Sequence, residues 1–272
     1  MNILILTDFS STANHAGKYA VDLFGETAVN FYLLNIQNLH FRGIPSPETL
    51  LELKKLSEEE IHNQAAELQV YSPQLLHNFY TIISEENLVA ATRRYVNEKK
   101  IDLIVMGTSS SEINSKSILG KHTREIIQKI RCNVLAISER SKFQIPKKFV
   151  MPVDTSLNTE SNMLRFLNGN IFNELACITV MEIGKPLKNI PNKNGFKSHF
   201  ECEQKSYNYE HVEFKKVPFL NEKLLEEIQD CYNMIVVLGK NLSVCNNLLR
   251  SYNGEWAAKT NKLPVLVLHE KF

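Results

Sequence analysis

The sequence predicts two α/β units in tandem, each a doubly wound sheet of five parallel strands, over residues 1–140 and 147–272. Two observations carry this. Short apolar runs that end in polar turns alternate strictly with segments of helical periodicity, joined by connections short enough to imply right-handed crossovers. The whole alternation then starts again after a polar, basic connector near residues 139–148.

The first unit opens with NILILTD, an apolar run of the kind that is buried on both faces of a parallel sheet. Ser10 or Ser11 can cap the helix that follows, whose Ala13, Ala16, Ala20, Val21 and Phe24 keep helical spacing, and Gly25 can close it. AVNFYLLNIQN is the second strand, and a helix over Glu48–Leu68 follows the breakers Pro45 and Pro47. NFYTIIS, NLVAATRRYVNEKK, IDLIVMG, HTREIIQKIR and CNVLAIS then read as strand, helix, strand, helix and strand.

The second unit restarts with FVMPVDTS and continues through a helix (TESNMLRFLN), a strand (LACITVME) and a ragged polar stretch. A strand (HVEFKKV), a helix (NEKLLEEIQDCYN), a strand (MIVVLG), a helix near Leu248–Lys259 and a last strand (PVLVLH) complete it. Landmarks repeat at nearly constant offsets: Asp8 to Asp154 is 154 − 8 = 146, Gly107 to Gly239 is 239 − 107 = 132, and Val134 to Val265 is 265 − 134 = 131. Two homologous-looking halves follow, the second shortened between its second and third strands.

Composition narrows the function. With 43% hydrophobic and 22% charged residues the chain reads as an ordinary globular protein. Lys plus Arg 31 against Asp plus Glu 30 leaves a net charge of +1, too little to steer the chain onto nucleic acid or an anionic membrane. No apolar run approaches the roughly 18 to 20 residues of a membrane helix, and the start lacks a signal-peptide pattern, so a cytoplasmic protein is expected. Five dispersed cysteines without a C-x-x-C argue against a disulfide framework or zinc finger, and His199 with Cys202 lacks two further ligands, so no metal site is expected.

In a doubly wound sheet, ligands bind beyond the carboxyl ends of the strands, where strand order reverses. Asp8 ends the first strand, Asn35 and Ile36 lie near the end of the second, and GTSSSEINSKSILGKHT opens at the end of the fourth. Glycines 107 and 120 would let backbone amides approach phosphate oxygens, and the next helix would present its positive end.

This arrangement resembles the universal stress proteins, whose strand-four loop has the form G-x2-G-x9-G-[ST]. Here the loop reads Gly107-Thr108-Ser109-Ser110, nine residues from Ser111 to Leu119, then Gly120-Lys121. Ser110 stands at the second glycine, where a positive φ would cost on the order of 1 kcal/mol, and Lys121 replaces the hydroxyl. The resemblance covers essentially the whole chain as a tandem pair of the adenine nucleotide alpha hydrolase-like superfold. Its specific part is VMGTSS through NVLAIS, with PVDTS, MIVVLG and PVLVLH as weaker echoes.

The resemblance implies ATP or a related adenine nucleotide, with Mg²⁺ only alongside it. Thr7 and Asp8 would meet adenine and ribose, Ile36 the base, Met106 and Gly107 the ribose, and Ser110, Gly120, Lys121 and His122 the phosphates. In the second unit the loop spacing lands on Leu242, Tyr252 and Asn253, so that unit is expected to be degenerate. The resemblance further implies an internal pseudo-dimer through the last strands NVLAIS and PVLVLH, and a homodimer of whole chains. No catalytic residue stands out: there is no G-x-S-x-G in the aligned loop and no H-E-x-x-H, and GKHT fails the P-loop pattern because Ser115 occupies the first glycine's place. The expected function is therefore a stress-response binding or signalling protein. The rival readings are an interaction scaffold without ligand, and a slow ATPase with His122 as its one nearby general base.

Overall fold

Apolar runs short enough for strands, alternating with helices, set the architecture of the computed structural model, which describes residues 1–37, 46–72, 75–108, 119–153, 177–183, 211–217, 222–239 and 262–269. The helices expected at 159–168 and 248–259, and Ser110, lie outside the described residues. The residues divide into two units, one of Met1–Thr108 with Lys121–Glu139, the other taking Leu119 and Gly120 together with the strands that follow Arg140. No helix among the described residues is long and apolar enough to cross a membrane.

In the first unit the chain runs β1 (Asn2–Thr7), α1 (Ser11–Leu23), β2 (Val29–Ile36), α2 (Pro47–Tyr71), β3 (His77–Ser84), α3 (Leu88–Glu98), β4 (Leu103–Thr108), α4 (Lys121–Lys129) and β5 (Asn133–Ser138). The strands lie in the order β3-β2-β1-β4-β5, and every pair is parallel. Each of the first three helices starts at a side chain that takes an otherwise orphan amide. Ser10 accepts from the Ala13 N–H, Ser46 from Thr49 and Asn87 from Ala90. α2 begins with Pro47, whose missing N–H costs nothing there, and runs past the expected Leu68 to Tyr71. Ile3, Leu4, Ile5, Leu103, Ile104 and Val105 have no exposed surface, as expected of strands covered on both faces.

The second unit contains β6 (Lys148–Val153), β7 (Cys177–Ile183), β8 (His211–Val217), α5 (Glu222–Cys231), β9 (Met234–Leu238) and β10 (Val265–Leu268). Read from its outer strand, the order is β8-β7-β6-β9-β10, the same sequence of third, second, first, fourth and fifth strand as in the first unit. The shortening expected between the second and third strands is visible in the registers. Val29 pairs with His77, a step of 77 − 29 = 48, whereas Cys177 pairs with His211, a step of 211 − 177 = 34.

The registers also correct one landmark. Asn2 N–H donates to the Asp102 carboxylate while Asp102 N–H donates back to the Asn2 carbonyl. Lys148 and Asn233 repeat both bonds in the second unit. Asn2 and Lys148 are therefore equivalent, which agrees with the Asp8 to Asp154 offset, and Leu103 is equivalent to Met234. Counting onward, Gly107 corresponds to Leu238, and Gly239 corresponds to Thr108. The glycines that looked like a matched pair are one residue out of register.

The central strand of the second unit differs too. β1 pairs with β4 over four residues, Ile3 to Leu6, but β6 pairs with β9 only at Phe149 and Val150. Pro152, near the carboxyl end of β6, has no N–H to give to a ladder.

Candidate functional site

Strand order in the first unit reverses between β1 and β4, and Leu6 lies beside Met106 there. The carboxyl ends of these strands define the crevice in which such sheets take ligands. Four of the expected residues, Thr7, Asp8, Met106 and Gly107, stand at these two adjoining ends.

Thr7 is buried and does two things for the turn into α1. Its hydroxyl oxygen accepts from the Phe9 N–H at 3.0 Å, and its carbonyl accepts from Asn35 Nδ2 at 2.9 Å. Phe9 takes a φ of 63°, a left-handed conformation that a bulky side chain rarely adopts. Strain of this kind is held only where the surroundings over-determine it, and it clusters at functional turns. The Thr7 bonds supply part of that restraint.

Asp8 is exposed. One of its carboxylate oxygens accepts from Ser10 N–H at 3.1 Å and Ser10 Oγ at 2.5 Å. Ser10 in turn caps α1, so the carboxylate is held in place by the residue that starts the helix. The other oxygen has no partner among the described residues.

Gly107 is fixed by packing. A Cβ there would stand 2.9 Å from the carbonyl carbon, carbonyl oxygen and Cγ2 of Thr12. The first turn of α1 thus lies against β4, and Thr12 Oγ1 donates to Glu139 Oε1 at 2.6 Å, which ties the same turn to the end of β5. This close approach gives the glycine a structural reason independent of any ligand. Met106 is buried, and Ile36 is half-buried at the end of β2, in register with Ser84 of β3.

The remaining candidates belong to α4. Gly120 precedes it and is half-buried; Lys121 and His122 are exposed in its first turn. Thr123, Ile126 and Ile127 are the buried face that seats the helix. Arg124 carries a buried Nε with no hydrogen-bond partner among the described residues. The helix carries no acid in its first turn and Lys129 in its last. Further along, a 2.6 Å hydrogen bond from Lys129 holds the Glu125 carboxyl below the usual carboxylate range, with smaller help from His122 and Lys121. Ser110 lies outside the described residues.

Asn35, Thr12, Glu139 and Arg124 enter the site from the structure. Asn35 alone was signalled in sequence, by its place near the end of the second strand. In the second unit, Leu238 occupies the place of Gly107 and is buried. The Gly239 backbone lies under the His269 ring, 2.7 Å from where a Cβ would sit. Among the described residues, no group of three His, Cys, Asp or Glu side chains could hold a metal ion.

The fold is shared with known proteins. The model of the universal stress protein family matches residues 1–138. A universal stress protein of Methanocaldococcus jannaschii is 24% identical over 141 residues, covering 52% of this chain and 83% of that protein. Among solved structures, a universal stress protein from Archaeoglobus fulgidus DSM 4304 superposes with a TM-score of 0.65 at 14% identity, over 99% of this chain and 96% of its own. A protein of Pseudomonas aeruginosa UCBPP-PA14 assigned to the same family gives 0.54 at 15% identity, over 98% and 92%. Both share the fold across nearly the whole chain.

Proposed function

The chain belongs to the universal stress protein family, and from that premise we propose that its first unit, residues 1–140, is a binding module for ATP or a related adenine nucleotide, with residues 147–272 a degenerate second domain. The observation that carries this reading is the charge of α4. Lys121 and Arg124 crowd its amino end, with His122 between them, where the helix dipole is positive and opposes each lysine or arginine charge. An anion resolves the conflict, and exposed amides at a helix start are a ready phosphate site.

Asp8, steadied by Ser10 and with one oxygen spare, suits the hydroxyls of a ribose. Gly120 stands at the entry to the helix, beside the place a phosphate would take, and Mg²⁺ would come only with the nucleotide. In the second unit, Pro152 shortens the central pairing and Leu238 takes the place of Gly107, which favours a supporting role. We favour a binding or signalling role in the stress response over a slow ATPase, for which His122 would have to serve as the general base.

Calorimetric titration of the purified chain with ATP and Mg²⁺, repeated with Gly120→Val, tests the proposal. Saturable binding that the substitution abolishes supports it. Absence of binding at millimolar nucleotide overturns it in favour of the interaction scaffold, and steady phosphate release would establish the ATPase.

A further inference from the structure

β3 ends the sheet of the first unit, and its sequence, HNFYTIIS, carries no acidic residue, lysine, arginine or proline. Natural sheets blunt an outer strand with lysine, proline, a bulge or extreme shortness. β3 uses none of these: it runs for 8 residues in unbroken register with β2.

The ladder shows which backbone groups remain. Val29 N–H donates to the Leu76 carbonyl and Gln37 N–H to the Ser84 carbonyl, at the two ends of the pairing. The even-numbered residues of β3 therefore face β2, and Phe79, Thr81 and Ile83 turn their N–H and C=O groups outward. No partner for these groups exists among the described residues. Their side chains lie on the face of His77, which bonds Ser72 at the end of α2 and the Phe24 carbonyl at the end of α1. On the opposite face Tyr80, 46% exposed, stacks on Tyr32, and Lys99 sits 5.8 Å from the Tyr32 ring.

We propose that β3 is a strand-addition surface whose occupant is the β3 of a second copy of this chain, paired antiparallel about a two-fold axis at Thr81. The pattern is self-complementary about that point. Thr81 meets the partner's Thr81, Phe79 meets the partner's Ile83, and on the other face Tyr80 meets the partner's Ile82. Thr–Thr and aromatic–β-branched neighbours are the pairings that stabilise adjacent strands, and no like charges are brought together. The outward groups of Phe79, Thr81 and Ile83 fall on the narrow pairs of the new ladder, where residues exchange both hydrogen bonds. The surface is separate from the nucleotide site at the carboxyl ends of β1 and β4, and does not depend on it.

Sedimentation velocity of the full chain over a dilution series, with Thr81→Pro alongside, tests this. The Thr81 N–H points away from β2, so proline removes a donor only from the proposed interface, at the kind of outer position proline tolerates. The expected result is a species of twice the 31.2 kDa chain mass, whose dissociation constant rises at least about tenfold in Thr81→Pro while circular dichroism and thermal unfolding stay unchanged. Tyr80→Lys, on the exposed face, should weaken the dimer similarly and replaces the proline variant if that one unfolds. Slower amide exchange at Phe79, Thr81 and Ile83 on raising the protein concentration is also expected. A chain that is monomeric at every concentration, or a dimer that both substitutions leave intact, overturns the proposal.

Discussion

Gly107 and Thr12 lie so close that a Cβ on the glycine would stand 2.9 Å from the threonine carbonyl oxygen. The obstacle is helix backbone held by the Ser10 cap and the Thr12–Glu139 hydrogen bond, so it cannot swing aside as a side chain would. Gly107→Ala should therefore destabilise the chain by about 1–3 kcal/mol, the range of overpacking in a tight site. Gly239→Ala meets the His269 ring, a side chain that can move, and should have the smaller effect. Urea unfolding of the two variants checks the order; equal losses would show that the α1 backbone yields.

Asn35 is buried, and its amide donates to the Thr7 carbonyl. Asn35→Ala should destabilise by about 1–3 kcal/mol, because the carbonyl is left without that donor. The turn that carries Asp8 should loosen with it, which faster amide exchange at Phe9 and Ser10 would report.

Tyr19 is 2% exposed, and burial, with a smaller contribution from Asp22, pushes its hydroxyl well above the ordinary value near 10.0. The folded state then keeps a proton that the unfolded chain releases. Its contribution to stability is full below pH about 10 and declines as pH rises toward the raised folded value, by up to about 1.4 kcal/mol per pH unit. Chemical unfolding between neutral pH and pH about 11 should show Tyr19→Phe losing stability less steeply than the parent chain. Identical slopes would place the alkaline sensitivity elsewhere.

Lys121 is exposed in the first turn of α4. If it meets phosphate, Lys121→Ala should weaken ATP binding by about tenfold and leave adenosine binding unchanged. Calorimetry with both ligands decides the matter, and equal effects on the two would remove its role.

Much of the first unit could be read from the chain because its signals are local. NILILT and NVLAIS are strands wherever they are buried, and Ser10, Ser46 and Asn87 announce helix starts by chemistry that spans three residues. The site was legible only as a set of positions. Asp8, Met106 and Gly107 could be assigned to strand ends, but Thr12 and Glu139 are 127 residues apart, and nothing in their neighbourhoods marks them as partners. The offset error at Gly239 has the same origin: matching glycines by type ignores the ladder, in which Asp102 and Asn233 set the count.

The sequence by itself determined the alternation of strand and helix, its repetition, and the spacing from Gly107 to Gly120, since periodicity and turn chemistry act over a few residues. Tertiary structure alone decided that Gly107 is required by the α1 backbone and that Leu238 stands in its place in the second unit. It also decided that the uncharged strand His77–Ser84 lies at the end of its sheet. Those facts depend on which distant segments meet, and strand order and register are properties of the assembled sheet.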